Sequence, residues 1–323
     1  MIHPYLGHPS QLYGVEEHRL IGGKGDQMRI YQVKNGKGLE MTVCPDRCLD
    51  IYRLSFKGIN CGFFSPSGYV APAFYDDQGL GFLKSFTAGF MTTCGLTNVG
   101  APGVENGENL PQHGVIGNTP AENASAIVEE DRIIIRGRVC EARIFQHKLA
   151  LARKITVSLS ENTFSVEDTI RNEGDQEAPL MLLYHMNLGY PLLSEKAKLT
   201  LPAASIYART EHAKKDLATC HEILPPIRGF EEQCYFHTFD GPRASAKLEN
   251  PDCGVGLEIA FDTACLPCLT EWKMMGYRDY VLGLEPGNCY PTGRIEAREN
   301  GTLSFLQPEE ERHFRVDVKL YGV

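Results

Sequence analysis

Hydrophobic and polar residues alternate with a period of two along most of the chain, between segments rich in Gly, Pro, Asn and Asp. In the segment KITVSLS the apolar positions are Ile155, Val157 and Leu159, and residues 314–320 alternate in the same way. A period of two places successive side chains on opposite faces of a strand, which is typical of antiparallel sheets that bury one face. The sequence therefore predicts many short antiparallel strands.

One turn signal predicts a hairpin near the N-terminus. Residues 28–33 (MRIYQV) and 39–43 (LEMTV) both alternate, and the segment KNGKG separates them. Asn35-Gly36 in this segment supplies the positive φ angles that a tight hairpin requires. We therefore expect the two runs to pair.

Helical periodicity with capping signals is nearly absent. At most, short helical pieces are predicted at residues 231–237 (EEQCYFH) and around residues 308–312 (PEEER). The strands show no βαβ spacing, and no linker rich in Pro, Gly and Ser divides the chain. The predicted fold class is all-β, a large antiparallel β-sandwich or barrel, with residues 1–323 forming a single domain.

Composition excludes several classes of partner. The net charge is −9 and the basic residues are scattered, which argues against a nucleic-acid surface. No apolar run reaches membrane-spanning length, so no membrane partner is expected. The N-terminal MIHPYLGHPS lacks the apolar region of a signal peptide, and we therefore expect a cytoplasmic protein.

The eleven cysteines do not predict disulfides or a metal site. Their number is odd, and their spacing lacks the regularity of a disulfide framework, which predicts free thiols. Cys265 and Cys268 have CxxC spacing, but a zinc site needs a second such pair, and Cys44 and Cys48 are one residue too widely spaced. We predict no metal and no cofactor.

Three motifs each place one titratable residue among turn-forming residues. His113 lies in LPQHGVIG, within the loop-rich residues 60–125, where long loops in a compact protein are usually functional. His185 lies in LLYHMNLGYP, and Glu285 ends the apolar run YVLGLEPG. Two histidines and a carboxylate can supply an acid and a base near neutral pH. Taken alone, His185 is equally compatible with a packed core histidine, and the three side chains could also bind a metal.

These motifs resemble those of the aldose 1-epimerase (galactose mutarotase) superfamily, in a divergent branch. His-Gly at 113–114, His-Met-Asn-Leu-Gly at 185–189 and Leu-Glu-Pro at 284–286 follow the order found in that family. The resemblance extends from GLEMTVCPDRCLDI to the end of the chain. It implies a galactose mutarotase-like β-sandwich (supersandwich) and an isomerase that interconverts the α and β anomers of a free sugar without a cofactor.

The resemblance also implies roles for the three residues. Glu285 would act as general base on the anomeric hydroxyl, His185 as general acid on the ring oxygen, and His113 would hydrogen-bond near that oxygen. The segment SFTAGFMTTCGLTNVG occupies the place where family members carry a sugar-binding arginine, and it contains none. The identity of the sugar is therefore not predicted.

Further residues are candidates for substrate binding. Trp272 is the only tryptophan, and its ring could stack on a sugar or fill the core. The remaining candidates could supply hydrogen bonds or charge, and the alternative for the charged ones is a surface or turn residue in a salt bridge. They are Arg47, Asn98, Gln112, Asn187, Lys273 and Arg294.

The predicted partner is a small-molecule carbohydrate, and the predicted assembly is a monomer or a homodimer. Two other functions remain open from the sequence. One is a non-catalytic carbohydrate-binding or sensor protein on the same scaffold. The other is a metal-dependent sugar isomerase or lyase that uses His113, His185 and Glu285 as ligands.

Overall fold

The computed structural model describes residues 4–323, and most of this part of the chain is β-strand or loop. Its α-helices are α1 (Glu211–Lys214) and α2 (Arg294–Glu299), and no helix within it is long and apolar enough to cross a membrane. In chain order the strands are β1 (Gly14–Arg19), β2 (Arg29–Lys34), β3 (Leu39–Cys44), β4 (Asp50–Phe56), β5 (Ile59–Asn60), β6 (Phe63–Phe64), β7 (Ala88–Gly89), β8 (Met91–Leu96), β9 (Gly103–Glu105), β10 (Glu108–Leu110), β11 (Glu122–Val128), β12 (Arg132–Ala142), β13 (Lys148–Ser158), β14 (Thr163–Asn172), β15 (Ala178–Leu188), β16 (Lys198–Thr200), β17 (Ser205–Ala208), β18 (Gln233–Thr238), β19 (Arg243–Asn250), β20 (Val255–Asp262), β21 (Cys268–Met275), β22 (Tyr280–Gly287), β23 (Ser304–Leu306) and β24 (Glu311–Gly322).

Two large antiparallel sheets form the layers of a sandwich. The first has the order β1-β2-β3-β4-β8-β15-β22-β21-β18-β17, with β5 added beside β4 and β23 beside β15. The second has the order β11-β12-β13-β14-β24-β20-β19-β16. The predicted all-β antiparallel sandwich is confirmed.

The core between the sheets forms from the predicted alternation. Ile155 on β13 pairs with Val166 on β14, and Val157 pairs with Phe164, and all four side chains are buried. They belong to a hydrophobic cluster that also contains side chains from the first sheet, such as Tyr184 on β15. Each large apolar side chain that is fully buried stabilises the fold by about 1.5–3 kcal/mol.

The predicted hairpin forms between β2 and β3, but its turn differs in detail. The positive φ angles fall on Gly36 (74°) and Gly38 (116°), and not on Asn35. The buried side-chain oxygen of Asn35 instead accepts two backbone N–H groups of the turn, at 2.8 and 3.0 Å. Asn35 therefore organises the turn through its side chain, as Asn does in Asx-turns.

The prediction of a helical piece at residues 231–237 is wrong. Most of this segment lies in β18, which pairs with β17 and β21. Its side chains alternate between the two faces of the first sheet, with Tyr235 and His237 on one face and Cys234 and Phe236 on the other. The apolar residues of EEQCYFH thus follow a strand period. The segment is too short for this period to be distinguished from that of a helical turn.

Residues 60–125 form loops with short strands, as predicted. Strands β5, β6 and β7 are two residues long, and β9 and β10 are three residues long. Short 3-10 helices at Pro72–Phe74, Gly81–Lys84 and Ile116–Asn118 connect them. This region brings Phe86 against His185 of the first sheet, and within the region Phe82 packs against His113.

A buried ionic network crosses the sandwich. Arg153 on β13 donates to both oxygens of Asp168 on β14, at 2.9 and 2.7 Å, and to Asp50 on β4, at 3.0 Å. Tyr184 on β15 donates its hydroxyl to Asp168 at 2.8 Å, and Thr93 on β8 donates its hydroxyl to Asp50 at 2.6 Å. Since every member of the network has a partner, the buried charges are compensated on all sides.

Candidate active site

The centre of the site is a histidine and a carboxylate on neighbouring strands. The register of β15 and β22, with Leu183 opposite Gly287 and Met186 opposite Leu284, sets His185 across from Glu285. The His185 Nε2 and Glu285 Oε1 atoms are 3.2 Å apart, and both side chains are buried. Their orientation is not that of a hydrogen bond, and both His185 Nδ1 and Glu285 Oε1 have no hydrogen-bond partner.

The sequence around Glu285 makes room for its carboxylate. Gly283 lies two residues earlier on β22 and so faces the same side of the sheet. A Cβ atom at Gly283 would collide with Glu285 Oε1 and would lie 3.0 Å from the Cβ atom of Trp272. Thr270 on β21 pairs with Glu285 in register, and its buried hydroxyl also lacks a hydrogen-bond partner.

His113 reaches the same site from a loop of the region 60–125. Its backbone N–H donates to Gly100 O at 3.0 Å, its carbonyl accepts from Gly95 N at 3.0 Å, and its φ is 58°. Gly114 has a φ of 71° and packs against the carbonyls of Gly95 and Asn98, where any Cβ would collide. The His113-Gly114 pair therefore lets the loop approach the sheet closely enough for the imidazole to enter the site.

The two histidine rings meet edge to face and are enclosed by aromatic side chains. The centroids of the His113 and His185 rings are 5.6 Å apart with an interplanar angle of 74°. The centroid of the His185 ring also lies 5.2 Å from the ring centroid of Phe86 and 5.2 Å from that of Trp272. The ring centroids of His113 and Phe82 are 5.1 Å apart. The rings are thereby held in fixed orientations in an environment of low polarity.

These side chains line a cavity of about 340 Å³. The volume is within the range of small-molecule sites, and the mixture of apolar wall and few polar groups is typical of them. The apolar wall contains Leu80, Phe82, Leu83, Phe86, Ala101, Pro102, Trp272 and Pro291. The polar side chains of the wall are Gln112, His113, His185, Arg209, Glu232, Thr270 and Glu285.

Burial shifts the titration of all three candidate catalytic groups toward their neutral forms. It raises the pKa of Glu285 well above its ordinary value and lowers the pKa of His185 to about 3. Burial also lowers the pKa of His113, to about 4. A low-polarity environment disfavours the charged form of each group, and such shifts are concentrated at functional sites.

Two charged residues of the cavity had no signal in the sequence. Arg209 directly follows β17, its side chain is exposed, and no carboxylate of residues 4–323 forms an ion pair with it. Its positive charge lowers the pKa of Glu285, against the larger effect of burial. Glu232 accepts a hydrogen bond from Trp272 Nε1 at 2.9 Å and so fixes the indole.

Of the predicted substrate-binding residues, the structure brings Gln112 and Trp272 to the cavity wall. Gln112 Oε1 has no hydrogen-bond partner there. Asn187 follows two residues after His185, but its buried side chain is outside the wall and donates to the His185 carbonyl at 2.9 Å. Asn187 therefore supports the strand that carries His185.

Asn98 and Arg294 lie behind the loop that carries His113, outside the cavity wall. Asn98 donates to the Pro111 carbonyl at 2.8 Å and accepts from the Arg294 backbone N–H at 2.8 Å. The Arg294 guanidinium is buried and pairs with Glu105 and Glu108. Both residues therefore hold the loop in place.

Arg47 and Lys273 also lie outside the wall. Arg47 is buried and donates to three backbone carbonyls, those of Gly117, Val70 and Ser85. Lys273 lies on the face of β21 opposite to Trp272, and its ammonium donates to the Cys220 carbonyl at 3.0 Å. The Cys265 and Cys268 thiols are free, as are the other nine.

Residues 25–320 match the model of a family that is described as a domain of unknown function, DUF4432. The chain belongs to the DUF4432 family. No curated protein matches this DUF4432 chain.

Solved structures resemble the DUF4432 chain over nearly its whole length. A "putative aldose 1-epimerase" from Klebsiella pneumoniae is 29% identical with a TM-score of 0.89, and the match covers 95% of this chain and 83% of that one. A galactose mutarotase-like protein from Clostridium acetobutylicum is 12% identical with a TM-score of 0.71, covering 97% and 100%. A galactose 1-epimerase from Lactobacillus acidophilus is 14% identical with a TM-score of 0.65, covering 96% and 99%. The predicted relation to the aldose 1-epimerase superfamily, in a divergent branch, is confirmed.

Proposed function

We propose that this DUF4432 protein is an isomerase of the aldose 1-epimerase type, which interconverts the α and β anomers of a free sugar. The observation that carries the proposal is the facing pair of His185 and Glu285, 3.2 Å apart, in a cavity with aromatic walls. The unpartnered atoms of the pair are Glu285 Oε1 and His185 Nδ1. A buried acceptor and donor without partners are available to a substrate.

Ring opening requires a base and an acid at the two oxygens bound to the anomeric carbon. Glu285 takes the proton of the anomeric hydroxyl, whose O–H electron pair forms the new C=O bond. The C1–O5 bond breaks, and its electron pair goes to O5, which takes a proton from His185. Rotation about the C1–C2 bond and the reverse transfers close the other anomer, so that the protein is unchanged after each turnover.

The reaction requires only one transferable proton on the pair of His185 and Glu285. Before a substrate binds, burial favours this proton on Glu285, since the pKa of the carboxyl is raised and the pKa of His185 is lowered. A substrate hydroxyl that donates to Glu285, together with the charge of Arg209, favours the ionised carboxylate and the protonated His185. Either arrangement provides one donor and one acceptor.

The other polar groups of the cavity suit the binding of sugar hydroxyls. Gln112 Oε1 is an unpartnered acceptor, and the Arg209 guanidinium at the wall supplies donors. His113 Nδ1 is also unpartnered and can contact the region of the ring oxygen. Trp272 and Phe86 supply the apolar surface against which the C–H groups of a sugar pack.

The experiment is an anomer-exchange measurement by NMR across a panel of neutral, 6-deoxy, amino, acidic and phosphorylated aldoses. We expect acceleration for at least one sugar, and a loss of about 10²–10⁴-fold in Glu285→Gln and in His185→Gln. The matched control is Glu258→Gln, since Glu258 lies on the second sheet and forms an ion pair with Lys247 away from the cavity. This variant should exchange anomers at the rate of the unmodified protein.

Two outcomes would favour the other functions. Saturable sugar binding without faster exchange for any sugar would indicate a non-catalytic carbohydrate-binding protein. A stoichiometric metal that is lost in Glu285→Gln and in His113→Ala would indicate a metal-dependent isomerase or lyase. Unchanged exchange in Glu285→Gln would contradict the role of Glu285 as the base.

A further inference from the structure

A second cluster of titratable side chains lies on the face of β21 opposite to the cavity. Glu271 is fully buried there, between Thr270 and Trp272, whose side chains point to the cavity. His237 on β18 is also fully buried. The segment between α1 and β18 covers this face and adds Cys220 and His221 to the cluster.

The potential ligand atoms of three of these residues converge, and His237 contacts one of the three. Glu271 Oε2 is hydrogen-bonded to His237 Nε2 at 3.1 Å and lies 3.5 Å from His221 Nε2. The potential ligand atoms of Cys220, His221 and Glu271 lie within 4.8 Å of one another. Among residues 4–323, no other group of three such side chains comes as close.

The cluster is not saturated by the protein. Glu271 Oε1 has no hydrogen-bond partner although the residue is completely buried, and His221 Nε2 has none either. An unpartnered carboxylate oxygen in the interior is costly, which distinguishes this cluster from the Arg153 network. A bound ligand that accepts electron pairs from Glu271 Oε1 and His221 Nε2 would remove the cost of burying these atoms without partners.

The donor set fits a tetrahedral zinc ion. Zinc binds cysteine sulfur at about 2.3 Å and histidine nitrogen or carboxylate oxygen at about 2.0–2.2 Å, and two such N or O ligands of a tetrahedron are about 3.3 Å apart. The observed separation of 3.5 Å between Glu271 Oε2 and His221 Nε2 is close to this value. The combination of sulfur, imidazole and carboxylate ligands favours zinc over magnesium or calcium, which prefer oxygen alone.

We propose that Cys220, His221 and Glu271 bind one zinc ion, which fastens the segment between α1 and β18 to the first sheet. His237 orients the Glu271 carboxylate through its hydrogen bond. One thiolate and one carboxylate compensate the double positive charge of the ion, and the imidazole of His221 binds it as a neutral ligand. The ammonium of Lys273 lies beside the cluster and is hydrogen-bonded to the Cys220 carbonyl. A neutral zinc centre is therefore compatible with this lysine.

The experiment measures metal content and cobalt spectra of the tag-free full-length protein. We expect about one equivalent of zinc per chain after dialysis, by elemental analysis. After chelation, Co²⁺ alone should give the ligand-field absorption of a tetrahedral site together with a thiolate-to-cobalt charge-transfer band. Cys220→Ser should lose the charge-transfer band, and Glu271→Gln and His221→Ala should lose the zinc equivalent.

His212→Ala is the matched control, because His212 is a partly exposed histidine of α1, just before this segment, and forms its ion pair with Glu231, outside the cluster. It should keep both the zinc and the cobalt spectrum. His221 is also partly exposed, so that its variant is expected to fold, and circular dichroism checks this. Absence of bound zinc and cobalt, or zinc binding unaffected by His221→Ala and Cys220→Ser, would overturn the proposal. Loss of the metal in Glu285→Gln but not in Glu271→Gln would do so too.

Discussion

Tyr184 and His185 are neighbours on β15, but they belong to two different kinds of buried polar region. Tyr184 points into the sandwich, where its hydroxyl completes the network of Arg153, Asp168 and Asp50. His185 points to the opposite face, where it meets Glu285 without a hydrogen bond. The side chains on the two faces of β15 are buried to a similar extent. The two faces differ in how many of their buried polar atoms have hydrogen-bond partners.

The difference shows what each region is suited to do. In the Arg153 network, every charged side chain has a protein partner, so a ligand has nothing left to bind. In the cavity, His113, His185, Thr270 and Glu285 all keep unpartnered atoms at the wall. Buried polar groups without hydrogen-bond partners destabilise the fold, and they are retained where a ligand supplies the missing partner. Whether buried polar atoms have partners is therefore a better guide to function than burial alone.

The largest expected effect comes from breaking the saturated network. Asp168→Asn leaves the buried Arg153 without its bidentate partner, and breaking such a pair typically costs about 3–5 kcal/mol of the free energy of unfolding. Urea unfolding measures this loss, while the exchange activity per folded molecule should be retained. Asp317→Asn, at an exposed pair on β24, should cost about 0–1 kcal/mol. Equal losses in the two variants would contradict the comparison.

A smaller change in the free energy of unfolding, a gain and not a loss, is expected from a substitution in the cavity. Glu285 has a raised pKa in the folded protein, so its protonated form contributes stability below the unfolded value of about 4.3, and this is lost as the pH rises. The amide side chain in Glu285→Gln does not titrate, so the variant should become more stable than the unmodified protein as the pH rises from about 4 to about 8. Urea unfolding at a series of pH values tests this, and a variant that is less stable at a pH of about 8 would contradict it.

The smallest effect is expected in the pH dependence of kcat/KM below neutrality. The pair of His185 and Glu285 shares one transferable proton. It takes up a second proton, and then has no base, only when the pH falls toward 3, the lowered pKa of His185, and it loses its only transferable proton, and then has no acid, only above the raised pKa of Glu285. Activity should therefore stay level between about pH 7 and about pH 5, after subtraction of the uncatalysed exchange. A decrease centred near a pH of about 6.5, the value of an ordinary histidine, would show that the cavity does not shift the titration of His185.

The sequence predicted the sandwich because its strands alternate over many residues, as in residues 154–160 and in β24. It failed at β18, where the strand is short and its alternation includes His and Tyr. Local motifs mark His113, His185 and Glu285 as candidates, the resemblance to a family connects them, and the structure brings them together at one cavity. Periodicity alone gave no reason to connect three residues so far apart in the chain.

The other site residues show why charge and type are weak guides. Arg47 and Arg294 are arginines, as a sugar-binding residue could be, but the backbone carbonyls and carboxylates that surround them come from distant segments. Arg209 and Glu232 line the cavity because β17 ends and β18 begins beside it. Their positions depend on strand order in the sheet, which no local pattern encodes. The same holds for the convergence of Cys220 with Glu271.

The proposed proton-transfer pair sits on two central strands, whereas much of the apolar wall comes from residues 60–125, including the exposed Leu80 and Leu83 at its edge. The sheet can therefore keep its chemistry while the loops change length and composition. For protein engineering, this arrangement separates two design problems. If the proposed function is correct, exchange of the segment around Gly81–Lys84 between relatives is a direct route to altered sugar preference, with the reacting groups left in place.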